Sequence, residues 1–89
     1  MAQVVESGTP VLLTSSGAVS LVSGTLLGFY VNSTSSGTIV VRNGGSGGTA
    51  ISGTITPAIG FHRFPAYCTS GCYLTLANTI SVTAFFAAG

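Results

Sequence analysis

Charged side chains are almost absent from this 89-residue chain. Glu6, Arg42 and Arg63 are its only charged residues, 3% of the total, and it has no Lys, Asp or Trp. An ordinary soluble domain carries charge on roughly a quarter of its residues. One carboxylate cannot form the pair that glycosidases and aspartic proteases use, nor supply the oxygens that Ca²⁺ or Mg²⁺ needs. We therefore expect no enzyme activity and no cofactor.

The shortage of basic residues also limits the partners of the chain. Two separated arginines and one glutamate give a formal net charge of +1, too little for the counterion release that drives binding to phosphate backbones. Nucleic acid is therefore not an expected partner. The most apolar stretch, residues 73–88, is interrupted by Thr, Ser and Asn and falls short of the roughly 20 apolar residues of a spanning helix. We expect no membrane span.

Apolar and hydroxyl-bearing residues take the place of charge. Hydrophobic residues make up 46% of the chain, and Ser, Thr and Gly together account for 37 of the 89 residues. Disorder normally requires low hydrophobicity with high net charge, the opposite of this composition. A folded protein with so little charge tends to associate. The composition therefore predicts a packed core and a surface that neighbouring subunits partly cover.

The first eight residues lack the pattern of a secretory signal. They contain no basic region followed by an apolar run, which such signals require. We therefore expect synthesis and folding in the cytoplasm, where cysteine thiols stay reduced.

Short runs of β-branched and aromatic residues, separated by Gly, Ser, Asn and Pro, dominate the chain. Nine of them predict strands: Pro10–Thr14, Ala18–Val22, Leu26–Asn32, Thr38–Arg42, Thr49–Ile51, Gly53–Thr56, Gly60–Pro65, Cys72–Leu76 and Ile80–Phe86. Asn43-Gly44 suits the positive-φ positions of a hairpin turn. We predict an all-β fold, a small antiparallel β-sandwich or jelly-roll-like barrel of about eight strands. Residues 1–9 would form an N-terminal arm and residues 10–89 a single domain.

Cys68-Thr69-Ser70-Gly71-Cys72 is the segment that most suggests a chemical site. Zinc takes four ligands, whereas the two cysteines and His62 supply three. A cysteine nucleophile beside His62 would lack an Asp to orient the imidazole. A disulfide across the loop requires the two Cα atoms to lie within about 7 Å, and its presence stays open. We favour two small apolar thiols packed at the end of a turn, with no metal.

The charged residues and several aromatic residues are the candidates for a partner interface. We predict that it contains Tyr30, Arg42, Phe61, His62, Arg63, Phe85 and Phe86. Because neighbouring residues of a strand point to opposite faces, one of His62 and Arg63 faces outward, toward a partner or simply toward solvent. By the same rule, Phe85 and Phe86 leave one ring for the core and one for a neighbour. We expect dimers or trimers held by apolar and backbone contacts.

Three stretches carry a resemblance to a known family: LGFYVNSTSSGT at residues 27–38, GTITPAIG at 53–60 and NTISVT at 78–83. They resemble small β-rich virion proteins of tailed bacteriophages, of the capsid decoration or cement class. The similarity covers about residues 26–86 and depends on strand and turn patterning. Asn43 stands where such proteins often carry an acidic residue, and the Cys68 and Cys72 pair is not typical of them.

The resemblance implies a non-enzymatic virion structural protein that binds the major capsid protein and copies of itself on the capsid surface, and reinforces the shell. It would be synthesised in the host cytoplasm. An alternative function is a receptor- or glycan-binding module of a tail or fibre, with Tyr30, Phe61, Tyr67 or Tyr73 stacking on the ligand. A ring component of a tail or connector is a third.

Overall fold

Six antiparallel strands form one sheet. The computed structural model describes residues 9–88, and its strands are β1 (Thr9–Leu13), β2 (Gly17–Ser20), β3 (Gly24–Asn43), β4 (Thr49–Ala50), β5 (Gly60–Cys68) and β6 (Cys72–Ala88). Every strand pair is antiparallel. The prediction of an all-β, antiparallel fold is confirmed. Residues 9–88 contain no helix that is long and apolar enough to cross a membrane.

The two long strands, β3 and β6, pair with each other along their whole length, from Gly24 opposite Ala88 to Asn43 opposite Cys72. In what we call the first half of the sheet, β1 pairs with residues 82–86 of β6 and β5 pairs with residues 24–31 of β3, which gives the order β1-β6-β3-β5. In the second half, β2 and β4 flank it, in the order β2-β6-β3-β4. Since β3 and β6 belong to both halves, six strands provide eight strand segments.

Strand β3 doubles back on itself. Its 20 residues would span about 66 Å if straight, whereas the longest dimension of the molecule is 44 Å. Its first residue, Gly24, is paired with Cys68, and its last, Asn43, with Cys72. Cys68 and Cys72 are four residues apart in the chain, which spans at most about 14 Å. The two ends of β3 that pair with them therefore lie near each other. The two halves of the sheet therefore face each other as the layers of a small sandwich.

The interior side chains of both halves form one core. The buried hydrophobic residues are Val19, Leu26, Phe29, Val31, Ile39, Val41, Cys68, Cys72, Leu74, Ile80, Val82, Ala84 and Phe86. No polar or charged side chain is buried among the described residues. Burial of apolar area at about 25 cal/mol per Å² is therefore the main force that holds the two halves together.

Two pairs of predicted strands are continuous in the structure. Leu26–Asn32 and Thr38–Arg42 both belong to β3, while Cys72–Leu76 and Ile80–Phe86 both belong to β6. The Ser-, Thr- and Asn-rich segments between them resemble turns in sequence. Because the segment in β3 pairs with the segment in β6 across a bend, both remain part of the continuous β3–β6 ladder.

One predicted strand and one predicted boundary were wrong. Gly53–Thr56 is not a strand, since it contributes one isolated bridge in which the Ile39 and Ile55 backbones exchange hydrogen bonds of 2.9 and 2.8 Å. Pro57, which has no N–H to donate, follows it. Thr9, assigned to the arm, is the first residue of β1, where it pairs with Phe86. The rest of the predicted arm lies outside the described residues.

Candidate functional site

The side of the first half that faces away from the core is an apolar surface four strands wide. One row across β1, β6, β3 and β5 consists of Leu12, Thr83, Tyr30 and Phe61, and the next of Pro10, Phe85, Gly28 and Arg63. Directly opposed residues of antiparallel strands project to the same side of the sheet. We call these eight residues the outer face.

Large apolar side chains of the outer face are exposed to solvent. Leu12 is 64% exposed, Phe61 55% and Tyr30 44%. Tyr67, farther along β5 on the same side, is also exposed. Since an aromatic side chain has about 150–250 Å² of surface, together they present an apolar patch of a few hundred Å². Patches of that size on a small protein commonly mark binding sites.

Gly28 determines how the aromatic rings lie on the outer face. A Cβ atom built on Gly28 would lie 2.9 Å from Phe61 Cζ and 2.6 Å from the His62 carbonyl oxygen. The Phe61 ring therefore covers the Gly28 backbone, which only a residue without a side chain permits. On the same side, the Phe61 and Phe85 ring centroids are 6.1 Å apart, within the range of favourable aromatic pairs. This packing fixes the orientation of Phe61 while leaving half of it exposed.

Four of the seven predicted interface residues come together on the outer face: Tyr30, Phe61, Arg63 and Phe85. Exposure alternates strictly along β5: the odd-numbered residues from Phe61 to Tyr67 are exposed, and the even-numbered ones between them are half-buried. Alternation predicts that one of His62 and Arg63 faces outward, and the structure shows that it is Arg63.

His62 lies on the opposite side of β5. Its ring is half-buried, 5.5 Å from the Phe29 ring, and its Nε2 is 2.7 Å from the Ala58 carbonyl oxygen. Since a carbonyl only accepts, Nε2 is the donor of this bond. The structure thus corrects the assignment of His62 to a surface shared with Arg63 and gives it a local packing role.

Phe86 and Arg42 are also separate from the outer face. Phe86 is 3% exposed in the core, so Phe85 is the ring left outside, as the alternation of adjacent residues required. Arg42 lies in the second half, where Nε donates to Thr75 Oγ1 at 2.9 Å and a terminal nitrogen donates to the Gly48 carbonyl oxygen at 3.1 Å. These bonds hold its side chain along the sheet, apart from the outer face.

Sequence reasoning missed Leu12 and Gly28. The segment Thr9–Leu13 has no polar alternation, so nothing in it distinguishes outward Leu12 from half-buried Leu13. The sequence pattern places Gly28 in a strand without indicating any further role. A glycine within an aromatic run is a usable signal, because it often marks a place where a ring approaches the backbone.

The turn from β5 to β6 contains the other candidate group. Cys68 and Cys72 are fully buried and are free thiols. Burial, and then the Cys68 thiol beside it, raises the pKa of Cys72 to about 12. Such a thiol is protonated at neutral pH and is a poor nucleophile and metal ligand. Residues 9–88 contain no cluster of three or more His, Cys, Asp or Glu side chains suited to a metal.

The outer face offers apolar, aromatic and hydroxyl contacts together with one guanidinium group, which are the elements of a recognition surface.

Comparisons with protein-family models, with curated proteins and with solved structures found no match to this chain.

Proposed function

We propose that this chain is a non-enzymatic structural protein of a tailed-bacteriophage virion. It binds the major capsid protein on the capsid surface, associates with copies of itself, and reinforces the shell. It is synthesised in the host cytoplasm and does not bind nucleic acid or membranes. The outer face is the main support for this role, because it is a wide apolar surface of the described sheet.

The composition of the outer face suits the centre of a contact with a protein shell. A stable interface buries about 800 Å² of each partner, with an apolar and aromatic centre surrounded by polar groups. Leu12, Tyr30 and Phe61 supply such a centre. Thr83 lies between Leu12 and Tyr30 in the same row, and Asn32, which donates a 3.1 Å hydrogen bond to it, adds a polar group beside this centre.

The near absence of charge favours permanent burial in an assembly. Removing charged groups from water costs several kcal/mol for each ion unless they are well paired. Hydroxyl and backbone groups lose much less when their hydrogen bonds are replaced. A surface with one arginine can therefore be covered by a neighbouring subunit at little electrostatic cost.

Reinforcement follows from mass action. A protein that binds the assembled lattice and not its free subunits stabilises the lattice by RT ln(1 + [L]/Kd) per site, about 2.7 kcal/mol when its concentration is 100 times Kd. Copies that contact one another on the shell add to this stabilisation.

The experiment compares particles of the phage that encodes this chain with particles from a deletion strain. We expect the wild-type particles to carry the chain in a regular pattern on the capsid in cryo-electron micrographs, and to release DNA at a higher temperature than the deletion particles. Purified chain added to deletion particles should restore both properties. Particles without the chain would contradict a virion role altogether.

Variants of exposed residues test whether the outer face makes the contact. We expect Leu12→Ser and Phe61→Ser to weaken binding to deletion particles at least about tenfold. Leu21→Ser is the matched control, since Leu21 is 87% exposed in the turn between β2 and β3, away from the outer face. Equal effects of all three variants would contradict binding through the outer face. Label confined to the tail, or binding to host glycans, would favour the tail or fibre module instead.

A further inference from the structure

The turn between β5 and β6 joins the two halves of the sandwich. Cys68, the last residue of β5, is paired with Gly24 in the first half. Cys72, the first residue of β6, is paired with Ser20 and Asn43 in the second half. The three residues between the cysteines are therefore a short covalent link across the open end of the sandwich.

Hydrogen bonds hold this turn closed. The Asn43 side chain donates to Thr69 Oγ1 at 3.0 Å and accepts from the Ser70 N–H at 3.0 Å. The Gly44 N–H donates to the Gly71 carbonyl oxygen at 2.8 Å. Gly71 has a φ of 99°, a conformation that favours glycine. The backbone around both cysteines is thus specified by contacts with β3.

Both thiols point into the same interior site. Cys68 and Cys72 are each 0% exposed and belong to the same core, and the Cys68 thiol is near enough to raise the pKa of Cys72. The backbone bridge between Thr69 and Gly71 draws the two ends of this five-residue turn together, and a disulfide requires that its two cysteines be brought close in this way. The turn accordingly needs little rearrangement to bring the sulfurs to bonding distance.

We propose that Cys68 and Cys72 form a thiol-oxidation site, at which a small-molecule disulfide of the glutathione class converts the two thiols into an intramolecular disulfide that joins the two halves of the sandwich. The proposal is independent of the virion role.

The reaction consists of two exchange steps. One cysteine loses its proton to solvent and attacks the small-molecule disulfide, forming a mixed disulfide and releasing one thiolate, which takes up a proton. The second cysteine, after losing its proton, attacks the cysteine sulfur of the mixed disulfide; the Cys68–Cys72 bond forms and a second small thiol leaves. Two protein thiols are oxidised, and one small-molecule disulfide is reduced to two thiols.

Burial sets when this reaction occurs. Thiols that are buried and protonated react only when the turn opens locally. In a reducing cytoplasm the pair therefore stays reduced, whereas prolonged exposure to an oxidising medium oxidises it. Closing even a short loop restricts the unfolded chain, so we expect the disulfide to raise the melting temperature by about 5–15 °C.

The test incubates the wild-type protein with oxidised glutathione and follows intact mass, free thiols and melting temperature. We expect a monomer lighter by two hydrogen atoms, with no free thiol after denaturation and a raised melting temperature that a reducing agent reverses. A lasting mixed disulfide, linkage only between separate chains, or an unchanged or lowered melting temperature would each overturn the proposal.

Cys68→Ala and Cys72→Ala are the matched controls. Each retains one thiol, so the same treatment should yield no monomer lighter by two hydrogens and no reversible rise in melting temperature. A rise in either variant would show that the stabilisation does not come from the Cys68–Cys72 bond. Because mass and thiol counts are measured on the wild-type protein, the test remains decisive if a variant fails to fold.

Discussion

The Asn78 side chain donates a 2.7 Å hydrogen bond from Nδ2 to the carbonyl oxygen of Ser36. Both residues have left-handed backbones, with φ values of 62° and 56°, and they lie where β3 and β6 bend, with Ser36 paired to Thr79, the neighbour of Asn78. Asn is among the residues that tolerate this conformation best after glycine. The pair allows two long strands to fold over without interrupting the ladder.

Asn78→Ala should destabilise the protein by about 1–3 kcal/mol, because it removes the hydrogen bond and places a less tolerant residue at positive φ. Asn78→Gly should lose less, since glycine adopts this backbone freely. Urea unfolding measures both. Asn32→Ala is the control, because Asn32 also donates side-chain hydrogen bonds, to Ser81 and Thr83, without a positive φ. Equal losses at Asn78 and Asn32 would argue against backbone strain at the bend.

Gly28→Ala should lower stability by about 1–3 kcal/mol, because its Cβ would meet the His62 carbonyl oxygen, which belongs to the backbone and cannot rotate away. It should also displace the Phe61 ring and weaken partner binding. Gly53→Ala is the control, since a Cβ there has no atom within 4 Å. Thermal unfolding gives the comparison, and a neutral Gly28→Ala would mean that the sheet adjusts more readily than this close contact suggests.

Self-association should not depend on salt. Among the described residues, β1 pairs with β6 alone and β5 with β3 alone, so both are edge strands of the described sheet, the positions at which copies commonly pair. With three charges in the chain, repulsion between copies is negligible. We expect dimers or trimers at micromolar concentration by analytical ultracentrifugation, at both low and high ionic strength. A stable monomer would refute self-association, and dissociation by salt alone would refute the apolar mechanism.

The stability of the reduced protein should fall as the pH rises from 9 to 12. The pKa of Cys72 is raised from 9.0 to about 12 by burial and by the Cys68 thiol. In that window the unfolded chain loses the proton and the folded chain keeps it, so the unfolded state binds fewer protons and is favoured. Below pH 9 the thiol is protonated in both states, and this contribution is fully retained.

Urea unfolding near neutral pH and at about pH 10.5, on either side of the ordinary value, measures this contribution. The wild-type protein should lose more stability between the two conditions than Cys72→Ala, which lacks this thiol and keeps all the other titrating groups. Parallel losses in the two proteins would mean that another group is responsible.

Much of the secondary structure could be predicted from the sequence because it depends on local properties. The all-β class followed from β-branched runs separated by turn residues. Alternation predicted that one of Phe85 and Phe86 is inside and the other outside, and Asn43-Gly44 marked a turn in which Gly44 has a φ of 105°. Each of these depends on a few neighbouring residues.

The candidate site was only partly predictable. Tyr30, Phe61, Arg63 and Phe85 were named from residue type and alternation, and the structure brings them together. The side of the strand on which His62 lies, and the contribution of Leu12, depend on register between strands far apart in the chain. Bulges change that register without a distinct local pattern, as between Leu26 and Gly28.

The sequence by itself determined which segments are extended and which residues alternate, because backbone and side-chain sterics act between neighbours. The tertiary structure alone decided that Ser36 and Asn78 form a bend inside continuous strands, and that Leu12 shares a row with Phe61. It also decided that Cys68 and Cys72 close the open end of the sandwich. These relationships join residues far apart in the chain or depend on how the two halves pack, and their register is set by burial of a common core rather than by any local preference.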